Sequence, residues 1–283
     1  MRPADVIRLV LLGAIWGASF LFTRITAPVL GPVATADLRM LIGGIALAVW
    51  FAVMRFDPQW RRWWLQYLAV GLLTSGLPFL LYAYAALELP AGLLSVLNAT
   101  SPMWGAVMAA ALLGERLTLR RAAGFALGIA GVALVTRPEA GAALAVLPVV
   151  AALGASLCYG IAGAYLKRWA AGAPARGMAL GTQISAGLLF LPLNAIWPPP
   201  TISPPLLVVA SVLALGLVCS AVAYLLYFRL INDIGPTGAL TVTYLVPIFG
   251  VAWGALFLGE IISASMLAGG ALVIAGTVLV LRN

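Results

Sequence analysis

The chain contains no histidine and only two cysteines among its 283 residues. Both cysteines, Cys158 and Cys219, fall inside apolar runs, which favours buried free thiols over a disulfide. A Cys/His zinc site and a histidine-based catalytic triad are excluded. The sequence also lacks a GxxxxGK motif and a pair of carboxylates inside an apolar run. We therefore expect no metal, no cofactor and no catalytic residues.

Charged residues are scarce, at 8% of the chain, while 64% of the residues are apolar. Soluble proteins carry about 25% charged residues, and a chain with so few could not cover its surface in water. The net charge is +8, but the basic residues stand singly or in pairs between apolar runs. This pattern is typical of membrane topology signals and not of a nucleic-acid interface. The expected partner is a lipid bilayer, with no nucleic acid.

Ten apolar runs are bounded by charge, proline or glycine, and each is long enough to cross a bilayer as a helix. The sequence predicts an all-α membrane protein with ten transmembrane helices. The runs lie at 6–25, 33–54, 65–86, 90–113, 120–136, 145–166, 176–197, 205–230, 236–257 and 262–281.

The basic residues predict the orientation of these helices. With the N-terminus in the cytoplasm, 13 basic residues fall on the cytoplasmic side and three on the other, namely Arg24, Arg39 and Arg137. The positive-inside rule predicts this bias for the correct topology. We expect both termini and the loops at 55–64, 114–121 and 166–176 to be cytoplasmic.

An internal repeat appears at an offset of 145 residues. Segments 102–137 and 247–282 align without gaps and share 16 of 36 residues, including the rare Pro, Glu and Arg positions. The third to fifth predicted helices thus repeat as the eighth to tenth. Five helices per half, at 1–140 and 141–283, would insert the second half upside down within one integrated domain. Inverted repeats are a recurring transporter design, although duplication for stability alone is an alternative.

The sequence resembles the drug/metabolite transporter superfamily, in particular its ten-helix EamA-like branch. The motifs that carry the resemblance are 13–20 (GAIWGASF), Leu38-Arg39, Pro102 with Leu113-Gly114-Glu115, and Pro247 with Leu258-Gly259-Glu260. Among its members the chain is most similar to bacterial inner-membrane exporters of amino acids, including the aromatic type. The resemblance implies a central cavity between the first, third, fourth, sixth, eighth and ninth helices. It also implies that the fifth and tenth helices are scaffold.

Two polar stripes occupy matching positions of the repeat and are candidate walls of a cavity. They are Ser75, Phe79 and Tyr82 in the third predicted helix, and Ser220, Tyr224 and Tyr227 in the eighth. Spacings of four and three place the members of each stripe on one helix face. Polar groups in hydrocarbon need partners or water, so the stripes either line a cavity or bond between helices.

Further candidates come from matched positions and from depth. Asn98 and Thr243 match in the repeat and precede Pro102 and Pro247, which we expect to kink their helices and free a carbonyl for an ammonium group. Fixed kinks that serve packing are the alternative. Trp16 and its approximate repeat partner Tyr159 lie in mid-run, either as an aromatic wall or as core filler.

Arg39 and Glu260 are predicted to face the non-cytoplasmic side. Isolated charges at that depth are costly, so we expect the two to form a gate contact. The acidic residues lie at or near predicted helix ends, and histidine is absent. Since proton-driven transporters usually bury an ionisable group near mid-membrane, we predict a facilitator or exchanger. Proton dependence through Glu115 or Glu260 would contradict this.

These patterns favour one function over three others. We expect a bacterial inner-membrane transporter that exports small metabolites, most of all amino acids, by alternating access and as a monomer. Efflux of lipophilic cationic drugs is the alternative cargo. An intramembrane lipid-modifying enzyme would need clustered catalytic groups, and a channel would favour charged pore rings. The predicted substrate-binding residues are Trp16, Tyr82, Asn98, Tyr159, Tyr224, Tyr227 and Thr243.

Overall fold

The structure is a computed structural model that describes residues 2–137 and 145–281, without the side chains at 236–237. Within those ranges every regular element is helical, and no strand occurs. Eight helical segments are long and apolar enough to span a membrane. They are Pro3–Val53, Trp60–Ala85, Ala91–Leu113, Val146–Trp169, Ala175–Ile196, Leu206–Gly235, Gly238–Leu258 and Ala264–Leu281. Glu139, Arg282 and the predicted boundary between the halves lie outside the described residues.

The first helix, α1 (Pro3–Val53), has 51 residues and contains two of the predicted runs. A straight helix of that length would measure about 77 Å, far beyond the roughly 30 Å of a hydrocarbon core. Gly31 interrupts it with φ of 79° and ψ of 159°, and prolines at 28 and 32 flank the break. Positive φ favours glycine because it has no Cβ. The break divides α1 into a first arm (3–30) and a second arm (32–53).

Two stretches of π-helix interrupt long helices at matching places. The first, Leu72–Gly76, joins α2 (Trp60–Gly71) to α3 (Leu77–Ala85). The second, Ala214–Val222, joins α10 (Leu206–Leu213) to α11 (Ala223–Leu240). They overlap at the 145-residue offset, and each contains the serine of one polar stripe. Since π-helical turns often accompany functional sites, they point to the neighbourhood of the stripes.

The two matched prolines sit in different surroundings. In the first half, α4 (Ala91–Asn98) ends before α5 (Ser101–Leu113), and Pro102 is the second residue of α5. In the second half, α12 (Val242–Leu258) runs through Pro247 as one helix. The expected kink therefore appears as a full break at one proline only.

The remaining helices complete the chain. They are α6 (Leu119–Val135), α7 (Val146–Trp169), α8 (Ala175–Phe190), α9 (Leu193–Ile196) and α13 (Ala264–Leu281). With 17 residues, α6 is shorter than all eight spans. The ten predicted runs thus correspond to eight spans, one of which has two arms, together with the short α6. The count of ten crossings stays a prediction.

Helices of the two halves pack against each other. The first arm of α1 lies on α12, its second arm lies on the second π stretch and on α8, and α7 lies on α5 and α3. The most extensive contact between described helices joins α6 and α13, where glycines face backbone. A Cβ added at Gly131 would lie 2.7 Å from the carbonyl oxygen of Gly269, and one at Gly124 would lie 2.7 Å from that of Gly276. Small residues permit this approach.

Candidate functional site

Tyr82, a member of the first stripe, connects three helices. Its side chain is buried on α3, and its hydroxyl donates to Asn98 Oδ1 on α4 at 3.1 Å. The hydroxyl oxygens of Tyr82 and Ser156, on α7, are 2.9 Å apart. The ring meets Phe20 edge-on at 5.3 Å between centroids and stacks on Tyr159 at 6.5 Å. The structure therefore brings together three of the predicted site residues, Tyr82, Asn98 and Tyr159.

The second stripe forms another group, which also includes Ser75 of the first stripe. Gln183 on α8 donates from Nε2 to Ser75 Oγ at 2.8 Å and to the Tyr224 hydroxyl at 3.4 Å. The Tyr227 ring lies 5.3 Å from the Trp16 ring, measured between centroids. Trp16 packs both against the core that contains Tyr82 and against the one beside Tyr227. Trp16 therefore connects the two groups.

Arg39, which the sequence predicted to face the non-cytoplasmic side beside Glu260, lies between the two groups. Its Nε donates to Ser220 Oγ at 3.3 Å, and its guanidinium carbon stands 3.7 Å from the centre of the Phe79 ring. Its charge lies within electrostatic range of Tyr159 and Tyr224, one from each group. The second arm of α1 positions it, because that arm packs on the π stretch that contains Ser220.

Five site residues keep accessible surface although each lies inside a segment long and apolar enough to span a membrane. Trp16, Asn98, Tyr159, Tyr224 and Tyr227 are half-buried, as is Arg39, and only Tyr82 is closed off, at 5% exposure. Two pockets of about 310 and 250 Å³ open elsewhere, beside Arg176, Phe228 and Asn232 near the ends of α8 and α11. None of the predicted site residues lines either pocket. The evidence that these residues form one site is therefore the set of contacts among them.

The predicted contact between Arg39 and Glu260 is wrong for this conformation. Glu260 instead accepts the backbone N–H groups of Ala91 at 2.6 Å and Gly92 at 3.0 Å. No ion pair joins Arg39 to Glu260 among the described residues. The first N–H groups of a helix have no partner within it and carry partial positive charge, which a carboxylate satisfies. Glu260 therefore caps α4 across the boundary between the halves.

The repeat partner of Glu260 has different neighbours. Glu115 accepts from Lys167 Nζ at 2.7 Å and from Arg121 Nη1 at 3.2 Å, and its side chain is 32% exposed. These hydrogen bonds, with that from Lys167 the stronger, hold the pKa of Glu115 below its ordinary value. The matched carboxylates thus make a helix cap at one end of the molecule and an ion-pair cluster at the other.

Thr243 is the predicted site residue that the structure does not join to the others. Its hydroxyl donates to the Leu240 carbonyl at 2.8 Å. The carbonyl that Pro102 was expected to free is that of Asn98, and the Ser101 hydroxyl already donates to it at 2.6 Å. An open carbonyl for an ammonium group is therefore not found at Pro102.

Sequence reasoning did not name Gln183 and Ser156, and it misplaced Arg39. Gln183 is fully buried, with its Oε1 unpartnered among the described residues. An amide inside an apolar run is costly, so its presence in the run at 176–197 was a usable signal. Ser156 offered none, since isolated serines are common in membrane helices.

The comparisons with known proteins agree with this architecture. The EamA-like transporter family matches residues 6–137 and again residues 146–282. The "Uncharacterized transporter YvbV" of Bacillus subtilis is 26% identical over 99% of this chain and 92% of its own. The "Probable terminal-alkyne amino-acid exporter" of Streptantibioticus cattleyicolor is 26% identical over 97% and 92%. The "Probable amino-acid metabolite efflux pump" of Salmonella typhimurium is 25% identical over 98% and 94%.

A solved structure titled "Crystal structure of protein" has the same fold. It superposes with a TM-score of 0.68 at 19% identity, over 99% of this chain and 96% of that one. The relatives above are named as transporters, exporters or pumps and not as enzymes, which confirms the expectation of a non-enzymatic protein. The chain belongs to the EamA-like transporter family, in the drug/metabolite transporter superfamily, and is a multi-pass membrane transporter.

Proposed function

We propose that this protein exports small metabolites, most of all amino acids, across the bacterial inner membrane. The observation that carries the proposal is the group of half-buried rings and polar side chains that surrounds Arg39. Rings on three helices would hold an apolar side chain, and the amide and hydroxyl groups would meet the polar end of the same molecule. Two relatives have names that refer to amino acids, which supports this cargo.

The cavity is formed, in this proposal, by residues of both halves. Trp16, Tyr82, Asn98, Tyr159, Tyr224 and Tyr227 line it, and their mutual contacts support the assignment. Thr243 remains a predicted member that has no contact with the others among the described residues. The chain would work as a monomer, since one copy supplies all these groups.

The proposed arrangement has ten crossings in two inverted halves, 1–140 and 141–283, with both termini in the cytoplasm. Ion pairs support the grouping of residues by face, because each pair joins residues that the proposed topology assigns to the same face. Arg8 pairs with Asp233 at 2.9 Å, although the two are 225 residues apart. Lys167 pairs with Glu115 at 2.7 Å on that face as well.

Alternating access would follow from rocking of the inverted halves about the site. In this conformation Glu260 ties α12 to the start of α4 at the non-cytoplasmic end. We propose that this cap is the gate on that side, in place of an Arg39–Glu260 contact. Opening the non-cytoplasmic side would separate Glu260 from α4.

Transport by the purified protein in proteoliposomes tests the function. Labelled phenylalanine should exchange against unlabelled phenylalanine under matched pH and without sodium, because the proposal is a facilitator or exchanger. Asp37 is a buried carboxylate, at 2% exposure, so it is tested as a proton site alongside Glu115 and Glu260. Transport that appears only under a proton gradient, and disappears on Asp37→Asn, Glu115→Gln or Glu260→Gln, would overturn the mode of coupling. Absence of all amino-acid exchange would overturn the cargo.

Lipophilic cations are the second candidate cargo, and the charge of Arg39 argues against them. Aromatic rings attract cations. The fixed positive charge of Arg39 beside Tyr159 and Tyr224 repels them from the same place.

A further inference from the structure

The guanidinium of Arg39 has fewer partners than it has donors. It carries five N–H groups. Among the described residues the hydrogen bond found is the one from Nε to Ser220 Oγ, at 3.3 Å. The Phe79 ring covers one face at 3.7 Å. No carboxylate lies within ion-pair distance of Arg39 in residues 2–137 and 145–281. Asp37, on the same arm, bonds to Asn194 instead, at 2.6 Å.

This leaves a charge that the protein itself compensates only in part. Arginine stays protonated under all ordinary conditions, so it cannot relieve the cost of burial by losing its proton. One long hydrogen bond and one cation–π contact offset only a fraction of the free energy of removing the charge from water. Part of the side-chain surface remains accessible, so a small anion could reach it.

From this geometry we infer that Arg39 binds the carboxylate of the transported amino acid. The paired Nη1 and Nη2 groups form a planar fork that matches two carboxylate oxygens. The carboxylate would lie beside Tyr159 and Tyr224, whose hydroxyls are within electrostatic range of Arg39. The side chain would then point toward the Trp16 and Tyr227 rings. The identification of the ligand as an amino acid rests on the proposed function, whereas the carboxylate preference rests on Arg39 alone.

A purely structural role for Arg39 makes different predictions. In that case Arg39 would only tie the second arm of α1 to Ser220 and Phe79. Its loss would lower stability but would leave the preference among ligands unchanged. The test therefore measures the preference between matched ligands and not the total affinity.

Three probes differ only at the relevant groups: L-phenylalanine, L-phenylalaninamide and 3-phenylpropionate. Their binding is measured by calorimetry on the full-length protein in nanodiscs. The wild type should bind the two carboxylates about 10- to 100-fold more tightly than the amide, the range for a hydrogen bond to a charged group. Arg39→Gln should abolish that ratio, and Arg39→Lys should retain part of it, because lysine keeps the charge without the fork.

Arg24→Gln is the matched control. Arg24 also bonds inside the protein, to the Ala86 and Leu87 carbonyls at 2.6 and 3.0 Å, and in the part of the chain that the structure describes it has no hydrogen bond to a site residue. It should keep the wild-type ratio. If Arg39→Gln does not fold, Arg39→Lys and the wild-type ratio still decide the question.

Each outcome separates the inference from the proposed function. Phenylalanine binding with no preference over its amide, or a preference that survives Arg39→Gln, overturns the inference and leaves amino-acid transport standing. Arg39-dependent binding of 3-phenylpropionate without any binding of phenylalanine supports the inference and overturns the amino-acid cargo. Failure of both carboxylates to bind overturns both.

Discussion

At the scale of single residues, the hydroxyl of Tyr82 links three helices of the site. It bonds to Asn98 and contacts Ser156, so it holds α3, α4 and α7 in register. Its partner Asn98 is half-buried and uses Oδ1 for this bond. Removing one partner of an internal hydrogen bond leaves the other unsatisfied, which costs about 1–3 kcal/mol.

We predict that Tyr82→Phe lowers stability by about 1–3 kcal/mol, from the same unsatisfied-partner cost, and slows amino-acid exchange. Thermal unfolding of the detergent-purified protein and exchange in proteoliposomes measure the two effects. Tyr165→Phe is the control, because that ring packs against Trp169 near the end of α7, at 5.1 Å between centroids. Equal behaviour of both variants would show that the Tyr82 hydroxyl has no special role.

Glu115 gives a prediction about pH. Lys167 and Arg121 lower its pKa in the folded protein. The stabilisation is thus fully present above the unfolded pKa of about 4.3 and is lost as the pH falls through the lower folded value. The effect is small because the side chain is partly exposed and salt screens it. The unfolding midpoint of the wild type should exceed that of Glu115→Gln at pH 7, and the difference should shrink only below about pH 4. A difference that grows on acidification would contradict the assignment.

At the scale of helices, the contact between α6 and α13 depends on glycines, which have no side chain to keep the helices apart. Glycines on each helix face the backbone of the other, so neither can gain a Cβ without displacing its neighbour. Residues of both helices, Val135 and Val273, belong to the same buried cluster as Tyr82. The scaffold role that the family resemblance implied for the fifth and tenth helices stays a prediction.

Gly131→Ala should destabilise the protein by about 1–3 kcal/mol, because overpacking forces the two helices apart. Its new Cβ would lie 2.7 Å from a backbone oxygen that no rotamer change can move. Gly163→Ala on α7 is the control, since nothing lies within 4 Å of the added carbon. Thermal unfolding of the two variants measures the difference. Similar midpoints would mean that α6 and α13 separate at little cost.

Glu260 makes a second contact between helices that can be tested. Glu260→Gln keeps the shape but loses the negative charge that the start of α4 favours. The non-cytoplasmic side should then open more often, so a cysteine placed at Gly92 should react several-fold faster with an external maleimide. Glu115→Gln is the matched control and should not raise that rate. Unchanged labelling in Glu260→Gln would exclude the gate.

At the scale of the whole molecule, the ion pairs and caps fall at two opposite ends. Arg8, Asp233 and Glu115 mark the end assigned to the cytoplasm, while Gly31 and Glu260 mark the other. Asp37 and Asn194 meet toward the end of Gly31 as well. Contacts between residues far apart in sequence therefore place at one end residues that the basic-residue count also assigns to one side, whereas the side that faces the cytoplasm stays a prediction.

Single cysteines test that orientation in intact cells, in a background without Cys158 and Cys219. Cysteines at positions 202 and 261, where the native isoleucines are 95% and 83% exposed, should react with an impermeant maleimide. Cysteines at positions 60 and 120 should react only after the membrane is permeabilised, because cytoplasmic loops are shielded. Strong labelling at position 60 or 120 in intact cells would refute the topology.

Properties that depend on composition and periodicity follow from the sequence by itself. Scarce charge and long apolar runs require a membrane, since water cannot solvate such a surface, and backbone groups in lipid must then form helices. The repeat and the motifs around Trp16, Glu115 and Glu260 are sufficient to recognise the family. The two stripes are predictable as well, because a spacing of three and four residues places side chains on one face whatever the helix packs against.

The partners of Arg39 and Glu260 could be identified only from the folded structure. Arg39 contacts Ser220 from 181 residues away, and Glu260 caps α4 from 169 residues away. Such contacts depend on where helices cross and which end of a neighbour is near, and periodicity within one helix carries no information about that. A local spacing identifies the face of a side chain, whereas the free energy of a buried charge is set by whichever distant group the fold places beside it.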